Sequence, residues 1–136
     1  MIGGRVLDTT AINDLTIGRT IYGAAFLAAA NEIGIALAIP ATALQEAWAI
    51  ADADDHPFLD LLLGLPLTIV ENLDTDTAQR SGLLSAPAHA GNQWNAATAH
   101  AALVSHDRGW PVLTAEPAKL RALDPAIRID ALPGGP

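Results

Sequence analysis

Three acids in this sequence stand beside short apolar runs, and their placement suggests chemistry on a phosphate. Asp8 closes Arg5-Val6-Leu7, and two hydroxyl residues, Thr9 and Thr10, follow it. Glu46 lies on a helix that leaves a second apolar run, at what reads as its first turn. Glu116 lies just past Pro111-Val112-Leu113-Thr114. A strand ending in a carboxylate delivers that acid to the C-terminal edge of a sheet, where it can also cap the next helix. Carboxylates gathered at one edge are hard oxygen ligands and suit Mg²⁺ or Mn²⁺. Two such ions would hold an attacking water and a leaving oxygen on either side of a scissile phosphate.

The elements that must position these acids alternate between strand and helix. Strands are expected at 5–8, 35–39, 67–70, 110–114 and 127–129. Helices are expected at 9–14, 21–33, from Thr42 to about Ala51, 56–63, from Asp74 to Leu84, from Asn92 to about Arg108, and from Pro117 to Leu123. Gly34 and Gly109 are the stop signals for two of the helices, and Pro117 suits a first turn. Thr42 and Asp74 are candidate N-caps, 85–91 reads as a loop, and the Gly/Pro tail is expected to fray. This alternation implies one α/β domain spanning 1–136, with a mostly parallel five-stranded sheet covered by helices on both faces. In such sheets the site lies outside the carboxyl ends of the strands.

A chain of 136 residues, 51% of them hydrophobic, can bury a substantial core. No apolar stretch reaches the roughly 18 residues that a membrane helix needs. The start lacks the basic-then-apolar pattern of a signal peptide, and with no cysteine there is neither a disulfide framework nor a thiolate metal site. The expectation is a soluble cytoplasmic protein. Fifteen acids against seven Lys and Arg give a net charge of −8, so the composition provides no generic basic face for nucleic acid. An acidic protein still acts on a phosphodiester when metal ions neutralise its site, and it also pairs readily with a basic protein.

Three segments carry a family resemblance over nearly the whole chain. They are Val6-Leu7-Asp8-Thr9-Thr10-Ala11-Ile12, Leu44-Gln45-Glu46, and the stretch from Thr98-Ala99-His100 to Gly109-Trp110-Pro111-Val112-Leu113-Thr114-Ala115-Glu116. In order and spacing the chain resembles the PIN domain family, in particular the VapC-type toxins of bacterial toxin–antitoxin pairs. The resemblance implies a three-layer α/β/α fold, Mg²⁺- or Mn²⁺-dependent cleavage of RNA, and a small antitoxin whose C-terminal segment covers the site. Asp8 matches the first acid of the family, Thr10 the Ser/Thr two residues later, and Glu46 the second acid. The last acid, often within Thr-x-Asp, becomes Thr114-Ala115-Glu116. The third acid, normally an Asp on the long helix, is Thr98 here. A threonine hydroxyl is neutral, so the substitution removes a formal charge from a site that would hold two dications. Asn95, one helical turn earlier, offers an amide oxygen but no charge.

Each acid also has a plainer role open to it. Asp8 can be a helix cap, Glu46 a solvated helix residue, and Glu116 a favourable charge at a helix N-terminus. Arg108, Lys119 and Arg121 cluster in sequence around the last acid and are candidate contacts to RNA phosphates, or simply a charged helix face. The helix from Ile21 to Ala30 and Trp48 are candidates for a homodimer interface or for core. His56, His89, His100 and His106 have no metal-binding spacing, and Asp52, Asp54 and Asp55 lack the glycine and distal glutamate of a calcium loop. There is no Gly-x-Ser-x-Gly elbow and no glycine-rich phosphate loop. Two functions follow: a metal-dependent endoribonuclease toxin, or a degenerate PIN-fold protein that binds a partner protein or RNA without cutting it.

Overall fold

The computed structural model describes residues 3–18, 20–91 and 94–133. Five strands, β1 (Gly4–Leu7), β2 (Ala36–Pro40), β3 (Thr68–Glu71), β4 (Val112–Thr114) and β5 (Ile129–Ala131), form one sheet in the order β3-β2-β1-β4-β5. Every pairing is parallel, so the sheet is wholly parallel rather than mostly so. Seven α-helices flank it among the described residues: α1 (Thr9–Asn13), α2 (Ile21–Ile33), α3 (Ala41–Ile50), α4 (His56–Leu63), α5 (Thr75–Ser85), α6 (Ala96–Arg108) and α7 (Pro117–Leu123). None is long and apolar enough to cross a membrane.

The period of two along each strand divides the core between the faces of the sheet. Leu7, Leu37, Ile39 and Leu113 pack with Ala11, Ile12, Ala30, Ala43, Ala47 and Leu59, from the layer built by α1 to α4. Val6, Ala38 and Val112 pack with Ala101, Ala102, Val104 and Leu120, from α6 and α7. Both faces are therefore covered, which is the three-layer α/β/α architecture expected and consistent with a PIN-like fold. Burying each large aliphatic side chain contributes about 1.5–3 kcal/mol. Gly4 is required where it stands, because a Cβ there would lie 2.5 Å from the Trp110 ring.

Several local readings change. Helix α6 starts at Ala96 with Asn95 as its N-cap, and Asn92 lies outside the described residues. Thr42 makes no cap; Pro40 holds that position, and the Thr42 hydroxyl lies 2.9 Å from His100 Nδ1 instead. Residues Ala86–Gly91 form a 3-10 turn, and β5 begins two residues later than expected because the Ile127 N–H closes the turn after α7, donating to the Asp124 carbonyl at 3.1 Å. The tail is tied down as far as Leu132, which is buried and donates its N–H to the Thr114 carbonyl at 2.8 Å; residues 134–136 lie outside the described residues. The surface of α2 is largely open, with Ile21 91% exposed and only Gly23 and Ala30 buried.

Candidate functional site

The strand order places the site. From β1 the chain builds outward through β2 and β3, then returns to pair β4 with the other edge of β1. The crevice between β1 and β4 is thus the topological switch point, where open parallel sheets bind ligands beyond their carboxyl ends. Asp8 follows β1 directly, and Thr114 ends β4. The two sides are joined by hydroxyl groups. Thr10 Oγ1 donates to Asp8 Oδ1 at 2.6 Å and accepts the Ala115 N–H at 2.8 Å. It also lies 3.4 Å from the Thr114 hydroxyl, which accepts the Glu116 N–H at 2.9 Å.

Asp8 caps α1 from an extended backbone (φ −78°, ψ −179°), accepting the Ala11 N–H at 2.9 Å. The residue is only 9% exposed. Burial pushes its pKa above the ordinary aspartate value, and the charge of Glu116 pushes the same way. Bonds from Thr10, Thr114 and Ala11 offset part of the rise. The cap and the site therefore use the same carboxylate, and ionising it costs the fold something that a nearby cation would return.

Glu46 sits on the second turn of α3, one turn further along than expected, and its Oε1 accepts the Thr9 hydroxyl at 2.7 Å. This bond ties the first turn of α1 to α3 and aims Glu46 at the cleft. Glu116 occupies the N-cap position of α7 without making a capping bond. Its carboxylate turns to Lys119, with Nζ to Oε2 at 2.8 Å. Thr98 follows Asn95 by one turn, but the Asn95 amide oxygen accepts the Thr98 N–H at 2.7 Å, so capping already engages it.

Asp8, Thr10, Glu46, Asn95, Thr98 and Glu116 all line one cleft of about 220 Å³, and Lys119 lines it with them. The donor set is all oxygen, which fits a hard dication. The spacing is open: among the described residues no three His, Cys, Asp or Glu side chains are close enough to hold an ion together. Magnesium commonly takes one or two carboxylates and completes its shell with water and substrate phosphate. The cleft fits that pattern better than a closed cage.

Two of the basic candidates lie elsewhere. Arg108 is paired with Glu71 and lies over the Trp110 ring, 4.9 Å from its centroid. It lines a second cleft of about 220 Å³ with Glu71, Thr77, His100 and Asp107. Arg121 is exposed on α7 and does not line the first cleft. His100 is fully buried. Its Nε2 has no hydrogen-bond partner among the described residues, and burial holds its pKa below the usual histidine value. The residues not singled out from sequence are Thr9, which orients Glu46, and Asn13, Ile50 and Leu120, which line the cleft. Thr9 had a signal in its position directly after the acid; the others become visible only when α1, α3 and α7 converge.

No family model matches the chain, and no curated protein matches it.

Proposed function

We propose that this protein is a metal-dependent endoribonuclease, the toxin component of a toxin–antitoxin pair, acting on RNA phosphodiester bonds with Mg²⁺ or Mn²⁺. The observation that carries this reading is the gathering of Asp8, Glu46 and Glu116 around one cleft at the switch point of a wholly parallel sheet. Asp8 and Glu46 would hold the ion, with Thr10 and Thr98 as neutral oxygens around it. Thr114, expected from sequence to line the site, is fully buried at the end of β4 and does not line the cleft; its hydroxyl meets Thr10 and accepts the Glu116 N–H instead. A bound ion supplies Lewis-acid stabilisation of the phosphate and a more acidic water nucleophile. The chain's own part is positional. Thr9 holds Glu46 toward the cleft, and Thr10 holds Asp8 while bracing the turn after β4. No side chain needs to act as a covalent nucleophile. An antitoxin would inhibit by placing an Arg or Lys among these acids as a counter-charge, and copurification with a small basic protein would support that partner.

The test is cleavage of a mixed RNA panel by the purified chain with Mn²⁺, beside Asp8→Asn and a chelator control. Turnover lost in both controls supports the reading. No turnover with any RNA favours the second reading, a PIN-fold protein that binds a partner protein or RNA without cutting. Thr98 in place of an acid favours that alternative.

A further inference from the structure

We infer that Lys119 stands in for a second metal ion, so that this cleft binds a single dication and uses an ammonium group as its other positive charge. The inference rests on the metal-dependent reading above. It starts from the charge count in the cleft. Asp8, Glu46 and Glu116 contribute three negative charges when ionised, and Lys119 contributes one positive charge at the same cleft. One dication neutralises the remainder; two would leave the cleft with a net positive charge. Thr98 is the position where a further acid would have balanced a second ion, and it is neutral.

The geometry directs Lys119 to this role. Pro117 begins α7 immediately after Glu116, and the Lys119 N–H donates to the Glu116 carbonyl at 3.2 Å. That turn fixes the two residues on one side of the helix start, where the ammonium meets Glu116 Oε2 at 2.8 Å. Glu116 has no capping bond competing for its carboxylate. The end of the cleft nearest β4 thus already contains a cation, whereas Asp8, buried and facing the charge of Glu116, is paired with no cation among the described residues. An ion entering the cleft would bind at the Asp8 end, and the Lys119 ammonium would meet phosphate oxygens at the other. Lysines and metal ions serve interchangeably in this way as clamps on transferring phosphoryl groups. An ordinary exposed pair three residues apart on a helix, by contrast, would have no effect on ion binding elsewhere.

The test is isothermal titration of Mn²⁺ into the metal-free protein, comparing wild type with Lys119→Gln and Lys119→Arg, with circular dichroism to confirm that each is folded. Lys119 is half exposed, so both variants should fold. The expected result is one site in wild type and in Lys119→Arg, and either a second site or at least tenfold tighter binding in Lys119→Gln. Identical stoichiometry and affinity in all three, or two sites in wild type, would overturn the inference while leaving the metal-dependent reading standing. No binding to any of them at millimolar Mn²⁺ would overturn that reading, and the role of Lys119 with it.

Discussion

Replacing Asp8 by Asn should stabilise the metal-free protein, although Asp8 is the residue on which the proposed activity depends. Asn caps a helix about as well as Asp, so the cap of α1, worth about 1 kcal/mol, is kept. The Thr10 hydroxyl bond at 2.6 Å loses its charged acceptor, which costs about 1 kcal/mol. Against this, the change removes a carboxylate that burial and Glu116 both disfavour, and desolvating an ion costs several kcal/mol. The balance favours Asn by about 1–2 kcal/mol, or roughly 3–8 °C in Tm for a domain of this size. The sign with pH follows from the raised pKa. Folding favours protonated Asp8, so its contribution is most favourable at low pH and is lost as pH rises through the folded pKa. The advantage of Asn should therefore vanish below the unfolded value of 3.8 and grow as pH rises through the folded pKa. Thermal unfolding of wild type, Asp8→Asn and Asp8→Ala in chelator across this range is the assay, with Asp8→Ala about 1 kcal/mol below Asp8→Asn for loss of the cap. Saturating Mn²⁺ should reverse the order, because an ion at one hundred times its Kd adds about 2.7 kcal/mol to wild type alone. A metal-free Asp8→Asn less stable than wild type at pH 7.5 would refute the reasoning.

Three further outcomes follow from the same geometry. Thr98→Asp returns an acid to the cleft and should tighten Mn²⁺ binding by about tenfold, because hard-cation affinity rises with ligand charge; titration of both proteins checks it, and equal affinities would place Thr98 outside the ion's reach. His100→Leu removes the buried, unpartnered Nε2 but also the 2.9 Å bond from Nδ1 to the Thr42 hydroxyl, so the two effects, about 1 kcal/mol each, should nearly cancel at pH 7. Because the folded pKa of His100 is depressed, the stability tied to it is present above the unfolded value of 6.5 and lost as pH falls below it, so the variant should lose less stability than wild type between pH 7 and pH 5 in urea titrations. Gly4→Ala drives a methyl group to 2.5 Å from the Trp110 ring and should cost about 1–3 kcal/mol, with a shift in tryptophan fluorescence; an unchanged urea midpoint would show that the indole moves freely.

Much of the fold was written in local chemistry. The alternation of apolar runs with helical stretches determined an α/β domain. Gly34 and Gly109 end their helices in the left-handed conformation that glycine adopts readily, and Asp8 and Asp74 cap theirs through short-range bonds. Those features depend on residues a few positions apart, so the sequence alone specifies them. It also identified the three acids, because each sits at a strand end or on the helix that follows one. What the tertiary structure decided is which groups meet. Asn95 caps α6 and Thr42 turns to His100, since the same side chain can serve a cap or a distant partner and only packing selects between them. Arg108 and Lys119, near one another in sequence, face different clefts because β4 lies between their helices and carries the chain from one to the other. The Thr9 bond to Glu46 crosses from α1 to α3, and the strand order that puts the acids at a switch point comes from pairings between distant segments. Local sequence sets the conformation of each element, but the closing of one element on another is decided by burial across the whole chain.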